Sequence, residues 1–313
     1  TERARAKAEK YGVASWGTAD EVLGNPDIQV VVNLTIPAVH VEVSSAAIAA
    51  GKHVWTEKPL GLDRAGTAQL LRDAEAAGLR IGSAPDTVLV TGFQSAKRAI
   101  LDGVIGQPVF AQASFQTQGP DLWHPGPQFL FARGAGPLLD MGPYYITDLI
   151  SLIGPIKRVT AFTSKAREER EVTTEGSPFK GTKVKVNTPT TINAILEFHS
   201  GAQVTLGASW DVSSHGHHNI ELYGTEGSVY VPDPNFFNGD VTITDRAGTK
   251  EKGTPWDHTF GVANQDLDKP NPRANYRNAG LSDMMDSIET GKAARCGLDV
   301  ALHAIDVMTS ILK

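Results

Sequence analysis

Short apolar runs alternate with alanine-rich amphipathic stretches over the first 104 residues. The apolar runs occupy residues 28–34, 53–56 and 79–83, and the amphipathic stretches occupy residues 1–11, 38–50, 63–77 and 88–101. Strands covered by helices on both faces are apolar throughout, whereas the covering helices carry an apolar stripe. The pattern therefore predicts an α/β fold with a parallel sheet, and Gly12, Gly51 and Gly78 mark predicted helix ends.

The pattern changes near residue 104, after which β-rich segments with alternating apolar and polar positions dominate. These segments occupy residues 108–116, 156–164, 190–198, 203–211, 219–224, 228–231 and 241–245. Glycine-containing turns at 199–202 and 224–227 favour hairpins, so we expect an α+β unit with a large, mainly antiparallel open sheet.

Amphipathic helices are predicted again at 276–289 and 298–312, after a polar, proline-containing loop at 253–272. We therefore expect two domains, 1–104 and 105–296. The C-terminal segment 297–313 is expected to pack back on the first domain.

Composition narrows the functional classes. Of 313 residues, 41% are hydrophobic and 20% are charged, which is typical of a globular protein rather than a disordered one. The net charge of −6 is spread along the chain, which disfavours nucleic-acid binding. The sole cysteine, Cys296, excludes an internal disulfide, and no apolar run is long enough for a membrane helix. We expect a cytoplasmic protein with no membrane partner.

Thr56-Glu57-Lys58-Pro59 directly follows a predicted parallel strand. Open α/β sheets bind ligands at the carboxyl ends of their strands, so this position favours a functional role. The alternative is a charged turn in which the proline ends the strand.

A second candidate is the glycine-rich segment 134–148, which contains Asp140 and Tyr144. On a helix that begins near Leu138, side chains four residues apart share one face and can meet a common substrate. The alternative is a glycine-rich loop that enters a helix. No buried strand precedes Gly134, and a third glycine is missing, so this segment is not a dinucleotide turn.

The order of these motifs resembles the Gfo/Idh/MocA family, the group of glucose-fructose oxidoreductase, inositol dehydrogenase and rhizopine-catabolism proteins. The resemblance extends over nearly the whole chain. Its motifs are Asn33 to His40, Ala50 to Val54, Glu57 to Pro59, Asp102 to Pro108, the Asp140/Tyr144 segment and Glu221 to Ser228.

The resemblance implies a Rossmann-type dinucleotide-binding domain, followed by an α+β substrate domain whose sheet often mediates homo-oligomers (here a dimer or tetramer). It implies hydride transfer between NAD or NADP and a sugar, inositol or related polyol, with no metal. The catalytic residues carried over are Lys58, Asp140 and Tyr144, where Tyr144 occupies a position usually held by histidine. The cofactor-binding residues carried over are Asn33, Thr35, Pro37, His40, Glu57 and Lys58.

A tyrosine with its ordinary pKa near 10 is a poor base at neutral pH. If Lys58 lies close by, its charge favours the phenolate, so we expect a lowered pKa for Tyr144. Our hypothesis is that Tyr144 is the acid/base, that Lys58 tunes it, and that Asp140 orients the substrate hydroxyl or holds Lys58 charged.

The family opens with a strand, a GxGxxG turn and a helix that do not occur in this sequence. Thr1 resembles the start of the helix after the second strand, so we expect an N-terminally incomplete dinucleotide-binding domain. The residue that separates NAD from NADP lies in that segment, and both cofactors stay open.

Several further residues are candidate substrate contacts. Trp123 and His124, with Phe129 and Phe131, are expected to form an aromatic platform for a sugar; the alternative is a packed loop. Tyr145 is a further candidate, and Arg277 is expected to reach an acidic sugar unless it lies on a solvated helix face.

His215, His217 and His218 suggest a metal site only weakly, because no carboxylate pair is evident beside them. We expect these histidines in a loop at the rim of the substrate pocket.

Two other functions remain open at this point. One is an NAD-dependent glycoside hydrolase of the same family type, and the other is a non-catalytic sugar-binding homologue.

Overall fold

A computed structural model describes residues 1–237, 239–252, 260, 262–269 and 272–313. Half of the predicted loop at 253–272 lies outside these described residues.

The first part of the chain folds into a three-stranded parallel sheet with helices packed on it. Its elements are α1 (Glu2–Tyr11), α2 (Ala19–Gly24), β1 (Val30–Asn33), α3 (His40–Ala49), β2 (His53–Thr56), α4 (Arg64–Ala76), β3 (Ile81–Ser83) and α5 (Thr91–Leu101). The strands lie in the order β1-β2-β3, so the carboxyl ends of all three share one edge of the sheet. The predicted α/β pattern is confirmed.

Two details differ from the sequence pattern. The short helix α2 was not predicted, because it buries no side chain and has no apolar stripe; a capping box between Thr18 and Glu21 fixes its start. Helix α5 begins at Thr91 rather than at residue 88, because residues Thr87–Leu89 form a separate 3-10 turn.

The second part of the chain is built on a large sheet. Its elements are β4 (Pro108–Gln116), α6 (Pro137–Ile153), β5 (Ile156–Ser164), β6 (Glu169–Glu171), β7 (Lys183–Lys185), β8 (Thr191–Phe198), β9 (Gln203–Ser209), β10 (Ile220–Gly224), β11 (Gly227–Val231), β12 (Thr242–Asp245), β13 (Lys250–Lys252), α7 (Ala279–Thr290) and α8 (Leu298–Ile311).

Eight of these strands form one sheet, in the order β13-β12-β11-β10-β4-β9-β8-β5. Every neighbouring pair is antiparallel except β4 and β9, which are parallel. The predicted large, mainly antiparallel sheet is therefore confirmed. The separate hairpin of β6 and β7 was not predicted.

Helix α6 covers the inner face of this sheet and is buried along most of its length. Alternate residues of β8, such as Ile192, Ala194 and Leu196, point into the same core. Helix α8 packs on α6, on β5 and on α4 of the first part of the chain, so it joins the two parts. The carboxyl end of β2 meets the start of α6 through a hydrogen bond from Lys58 to Asp140. The domain boundaries at 104 and 296 stay predictions.

No helix within the described residues has both the length and the apolar character needed to span a membrane.

Candidate active site

A cavity of about 330 Å³ lies where β1 and β2 end. On one side it is lined by Thr35, Pro37, Glu57, Lys58 and Pro59, and on the other by Trp123, His124, Phe129 and Asp140. Ligand pockets commonly have volumes of about 300–1,000 Å³, so this cavity is large enough for a small molecule or for one end of a dinucleotide.

Lys58 occupies the junction between the two halves of this cavity. Its Nζ donates to Asp140 Oδ1 at 2.7 Å and to the Asp140 carbonyl oxygen at 2.6 Å. The same Nζ lies 5.2 Å from the centroid of the Tyr144 ring. The structure therefore brings together the three side chains that the sequence singled out as catalytic.

The start of α6 places Asp140 and Tyr144. Gly136, the residue before the helix, has a φ of 98°, and a Cβ there would lie 2.9 Å from the Pro189 carbonyl oxygen. Glycine is therefore required at this position, and Pro137 suits the first helical turn that follows. Asp140 lies in the first turn, where the helix dipole favours a carboxylate.

Lys58 is held in its charged form. Burial alone disfavours the ammonium, but the nearby Asp140, Tyr144 and Glu57 outweigh that cost and raise the pKa of Lys58. Its side chain is only 15% exposed, so water screens this charge weakly. The site therefore presents a fixed positive charge to the cavity.

The expected lowering of the Tyr144 pKa is wrong in its net direction. The Tyr144 side chain is only 6% exposed, and its burial raises the pKa of the phenol. Lys58 does favour the phenolate, as does Arg277, but burial outweighs both. Tyr144 is therefore a neutral phenol at neutral pH, and it lies behind Lys58 rather than in the cavity wall.

Asn33 and His40 do not lie in the cavity wall, although both were expected to bind the cofactor. Both are buried, and the Asn33 amide donates to the His40 carbonyl oxygen and to Ser44 Oγ, each at 3.0 Å. The His40 ring nitrogens lie 2.7 Å from the Pro59 carbonyl oxygen and 2.9 Å from that of Thr35. These two side chains therefore shape the loops after β1 and β2.

The other cofactor candidates, Thr35, Pro37, Glu57 and Lys58, do line the cavity. They follow the carboxyl ends of parallel strands, where α/β proteins bind nucleotides. The wall combines apolar groups such as Ile36 and Leu62 with one buried ammonium, which fits a nicotinamide ring beside a polar reacting group.

The aromatic candidates divide into two sets. The exposed ring of Trp123 lies in the cavity wall, and the His124 ring lies 5.5 Å from it and 5.4 Å from that of Phe129. Phe131 is fully buried against Trp210, so it belongs to the core and not to a platform.

Tyr145 was expected to contact substrate, and the structure contradicts this. Its side chain is only 1% exposed, and its hydroxyl accepts a 2.8 Å hydrogen bond from Asn219 Nδ2. Tyr145 directly follows Tyr144 on helix α6, so its side chain points to a different face of the helix. That face is buried in the core.

Arg277 is exposed, but it does not line the cavity. It precedes α7, and its Nη1 donates to the Tyr144 hydroxyl at 3.2 Å. Two further residues were missed by the sequence reasoning: Asn235, which accepts from Arg277 Nη2 at 2.7 Å, and Asp86, which accepts from the Asn278 amide at 2.8 Å. The available signal for Asp86 was its position just after β3.

His215, His217 and His218 do not line the cavity, so the expectation that they form its rim is wrong. The rings of His215 and His217 stack at 5.9 Å, and His217 Nδ1 lies 3.0 Å from Gln112 Nε2 on β4. Within the described residues, no group of three or more His, Cys, Asp or Glu side chains is arranged to hold a metal ion.

Two parts of the chain match the models of known protein families. Residues 1–84 match the model of the oxidoreductase family with an NAD-binding Rossmann fold, and residues 93–230 match the Gfo/Idh/MocA C-terminal domain. The chain belongs to the Gfo/Idh/MocA family. The resemblance noted in the sequence is thereby confirmed.

Similar proteins within the Gfo/Idh/MocA family include several oxidoreductases. An uncharacterized oxidoreductase of Rhizobium meliloti is 28% identical over 74% of this chain and 64% of its own length. A D-xylose dehydrogenase of Paenarthrobacter nicotinovorans is 26% identical over 51% of this chain and 43% of its own length. The chain thus matches less than two thirds of either relative.

The fold is also similar to solved Gfo/Idh/MocA-type structures. A levoglucosan dehydrogenase in complex with NADH aligns with a TM-score of 0.78 and 21% identity, over 99% of this chain and 84% of the other. At this identity the likeness establishes the fold alone.

Proposed function

We propose that this protein is an oxidoreductase that uses NAD or NADP to interconvert a hydroxyl and a carbonyl group on a sugar, inositol or related polyol. The observation that carries the proposal is the convergence of Lys58, Asp140 and Tyr144 beside a cavity at the carboxyl ends of β1 and β2. The family assignment and the named activities of its sugar-acting members support it.

The bound nicotinamide would supply or accept the hydride. Thr35, Pro37 and Glu57 would form its side of the cavity, and the Lys58 ammonium would donate a hydrogen bond to the reacting oxygen of the substrate. Negative charge develops on that oxygen when a carbonyl is reduced, so a fixed ammonium stabilises the transition state more than the ground state. Asp140 keeps that ammonium charged and aimed at the cavity.

Tyr144 would exchange the proton. Because Tyr144 does not line the cavity, its proton would reach the substrate through Lys58. During reduction, the Lys58 ammonium would give a proton to the carbonyl oxygen as it becomes a hydroxyl, and it would regain a proton from the Tyr144 phenol. The phenolate that remains lies between the positive charges of Lys58 and Arg277. During oxidation the protons would move in the opposite direction. Because burial favours the neutral phenol, Tyr144 is better prepared at neutral pH to act as an acid.

The wall opposite the cofactor side favours a sugar-like ring. Trp123 and Phe129 present exposed aromatic surface, and His124 lies between their rings. Aromatic faces pack against the C–H surface of a sugar while polar groups bind its hydroxyls. A homo-oligomer and a cytoplasmic location remain predictions alongside this function.

The test is an absorbance assay of NAD(P)H formation and consumption with a panel of aldoses, ketoses, inositols and anhydrosugars. We expect turnover with at least one pair of sugar and cofactor, and loss of that turnover in Lys58→Met. Absence of nicotinamide turnover across the panel would contradict the proposal. Cleavage of a glycoside without net NADH formation would instead support the hydrolase.

A further inference from the structure

We propose that Arg277 is a second catalytic cation on the Tyr144 hydroxyl, and that Asp86 is the positioning residue that holds Arg277 there. The proposal rests on the proposed function of Tyr144 as the acid/base. It replaces the expectation that Arg277 recognises an acidic sugar.

Three contacts fix the Arg277 guanidinium. Its Nη1 donates to the Tyr144 hydroxyl at 3.2 Å, and its Nη2 donates to the Asn235 carbonyl oxygen at 2.7 Å and to Asn235 Oδ1 at 2.8 Å. Its Cζ also lies 5.4 Å from the centroid of the Tyr144 ring and 5.6 Å from that of Phe237. The guanidinium therefore lies over two aromatic rings while it donates to the Tyr144 hydroxyl oxygen.

The charges around Tyr144 give Arg277 a role that Lys58 does not fill. Lys58, paired with Asp140 at 2.7 Å, has the larger electrostatic effect on the Tyr144 phenol, whereas Arg277 donates a hydrogen bond to the hydroxyl oxygen itself. In the part of the chain that the structure describes, Arg277 has no carboxylate within ion-pair distance, although the charge of Asp86 acts on it from farther away. Together with Glu57, Lys58 and Arg277 are the charged groups that act on the Tyr144 phenol from the neighbouring elements. Arg277 therefore supplies positive charge directly at the oxygen that becomes negative.

Asp86 anchors the turn that carries Arg277. It is 2% exposed, and its Oδ2 accepts hydrogen bonds from the backbone N–H of Asn278 at 2.8 Å and from the backbone N–H of Gly280 at 3.3 Å. These two amides belong to the start of α7, whose cap residue Asn278 has a left-handed φ of 90°. The carboxylate of Asp86 thus ties the backbone next to Arg277 to the end of β3.

The same turn is held from its other side. A Cβ on Gly280 would lie 2.2 Å from Trp55 Cη2, so only glycine lets α7 approach β2 this closely. Trp55 lies three residues before Lys58 on the chain. Strand β2, which Lys58 follows, therefore also positions the turn that carries Arg277.

The experiment observes Tyr144 directly, without cofactor or substrate. Tyrosine labelled with ¹³C at Cζ is followed by NMR in the full chain, and Tyr144→Phe assigns the resonance. We expect Arg277→Met to move this resonance at neutral pH, because the hydrogen bond is lost. We also expect it to shift the titration of Tyr144 to higher pH by about one unit or more, because a close opposite charge lowers a pKa by about 1–3 units.

Arg277→Lys is the matched control, because it keeps the positive charge and a donor. It is expected to retain most of the wild-type titration. If Arg277→Met leaves both the resonance and the titration of Tyr144 unchanged, the role of Arg277 is overturned.

The positioning role of Asp86 is tested with two variants of the same site. Asp86→Ala should shift the Tyr144 resonance in the same direction as Arg277→Met, and the double variant should shift it little further. Asp86→Asn keeps an acceptor oxygen for the backbone N–H groups of Asn278 and Gly280, so the Tyr144 resonance should stay at its wild-type position. If Asp86→Ala changes only the thermal stability and leaves Tyr144 unmoved, Asp86 is a structural residue and its positioning role is overturned.

These outcomes are separable from the proposed function. If the NMR shifts appear but no sugar is turned over with NAD or NADP, the oxidoreductase function fails while the electrostatic contact stands. If turnover depends on Tyr144 but Arg277→Met changes neither its resonance nor kcat, the function stands and the Arg277 proposal fails.

Discussion

At the scale of the single residue, two opposing effects determine the pKa of Tyr144. Burial favours the neutral phenol, and the ammonium of Lys58 and the guanidinium of Arg277 favour the phenolate. Since burial outweighs the two cations, the pKa of Tyr144 lies above its ordinary value. A phenol of this kind holds its proton at neutral pH and releases it when charge develops nearby.

Replacing Tyr144 by phenylalanine removes the proposed acid/base and leaves the ring in place. We expect kcat to fall by about 10²–10⁴-fold, the usual contribution of a positioned acid/base group, with a smaller change in KM. Tyr145→Phe is the matched control, because that hydroxyl binds Asn219 in the core. It should keep its turnover and lose about 1 kcal/mol of unfolding free energy. Equal turnover in the two variants would argue against the role of Tyr144.

The two reaction directions should respond to pH with opposite signs. Reduction needs the phenol, so its kcat/KM should hold through neutral pH and fall as the pH rises through the raised pKa of Tyr144. Oxidation needs the phenolate, so its rate should rise over the same alkaline range. Steady-state rates in both directions across pH check this. Retention of both slopes in Tyr144→Phe would assign them to another group.

At the scale of elements, buried charge connects the hairpin of β6 and β7 to the main sheet. Arg170 of β6 is 5% exposed, and it pairs with Asp121 at 2.8 Å and with Asp211 at 2.6 Å. Two carboxylates from loops that are distant in sequence thus converge on one guanidinium. The ion pairs hold the hairpin beside the loop that contributes Trp123 to the cavity.

Arg170→Ala would leave both carboxylates without their cation. We expect a loss of about 3–5 kcal/mol in unfolding free energy, the usual cost of removing one partner from a buried ion pair. Urea unfolding monitored by circular dichroism measures the change. Arg158→Ala breaks an exposed ion pair with Glu197 and is the control, with little expected effect. A similar small change in Arg170→Ala would show that the buried ion pairs do not hold the hairpin.

Asp148 on α6 carries the opposite pH effect to most carboxylates. It is fully buried, and burial together with the nearby Asp233 raises its pKa well above the ordinary value. The folded chain therefore holds a proton that the unfolded chain releases above about pH 4, so this residue lowers stability as pH rises beyond that point.

Asp148→Asn removes this ionisation and keeps the side-chain shape. We expect its unfolding free energy, relative to that of the wild type, to increase steadily as pH rises above about 4. Denaturant unfolding of both proteins at a series of pH values gives the difference. A difference that does not change with pH would contradict burial of a protonated Asp148.

The sequence predicts the elements whose signals are local. Apolar runs give the parallel strands, alternation gives the main sheet, and glycines with left-handed backbone end helices, as at Gly12. The hairpin of β6 and β7 is not predicted, because each strand has three residues and the inward position on β6 is the charged Arg170. The burial of Arg170 is stabilised by carboxylates and carbonyl oxygens that the fold brings to it.

The residues of the candidate site also divide into those that the sequence indicates and those that only the fold brings together. Lys58 is marked by its place after a strand, and Asp140 and Tyr144 by their helical spacing and by the family resemblance. The contact of Asp86 with Asn278 joins residues 192 positions apart, and that of Arg277 with Tyr144 joins residues 133 positions apart, so no local pattern shows them. The net pKa direction of Tyr144 also depends on burial, which the sequence does not give.

At the scale of the whole molecule, helix α8 and the start of α6 hold the two parts of the chain together around the cavity. The parallel sheet supplies Lys58, and α6 supplies Asp140 and Tyr144. Neither part contains the complete set of residues. The proposed reaction therefore depends on the junction between the two parts.

Transfer of an isotopic label tests the central claim most directly. The protein is incubated with NADH or NADPH deuterated at the reactive carbon of the nicotinamide and with a carbonyl sugar from the panel, and the product is analysed by mass spectrometry. The account predicts one deuterium per product molecule, matched to the cofactor consumed, with transfer strongly reduced in Tyr144→Phe and retained in Tyr145→Phe. Sugar turnover without deuterium in the product, or undiminished transfer in Tyr144→Phe, would contradict it.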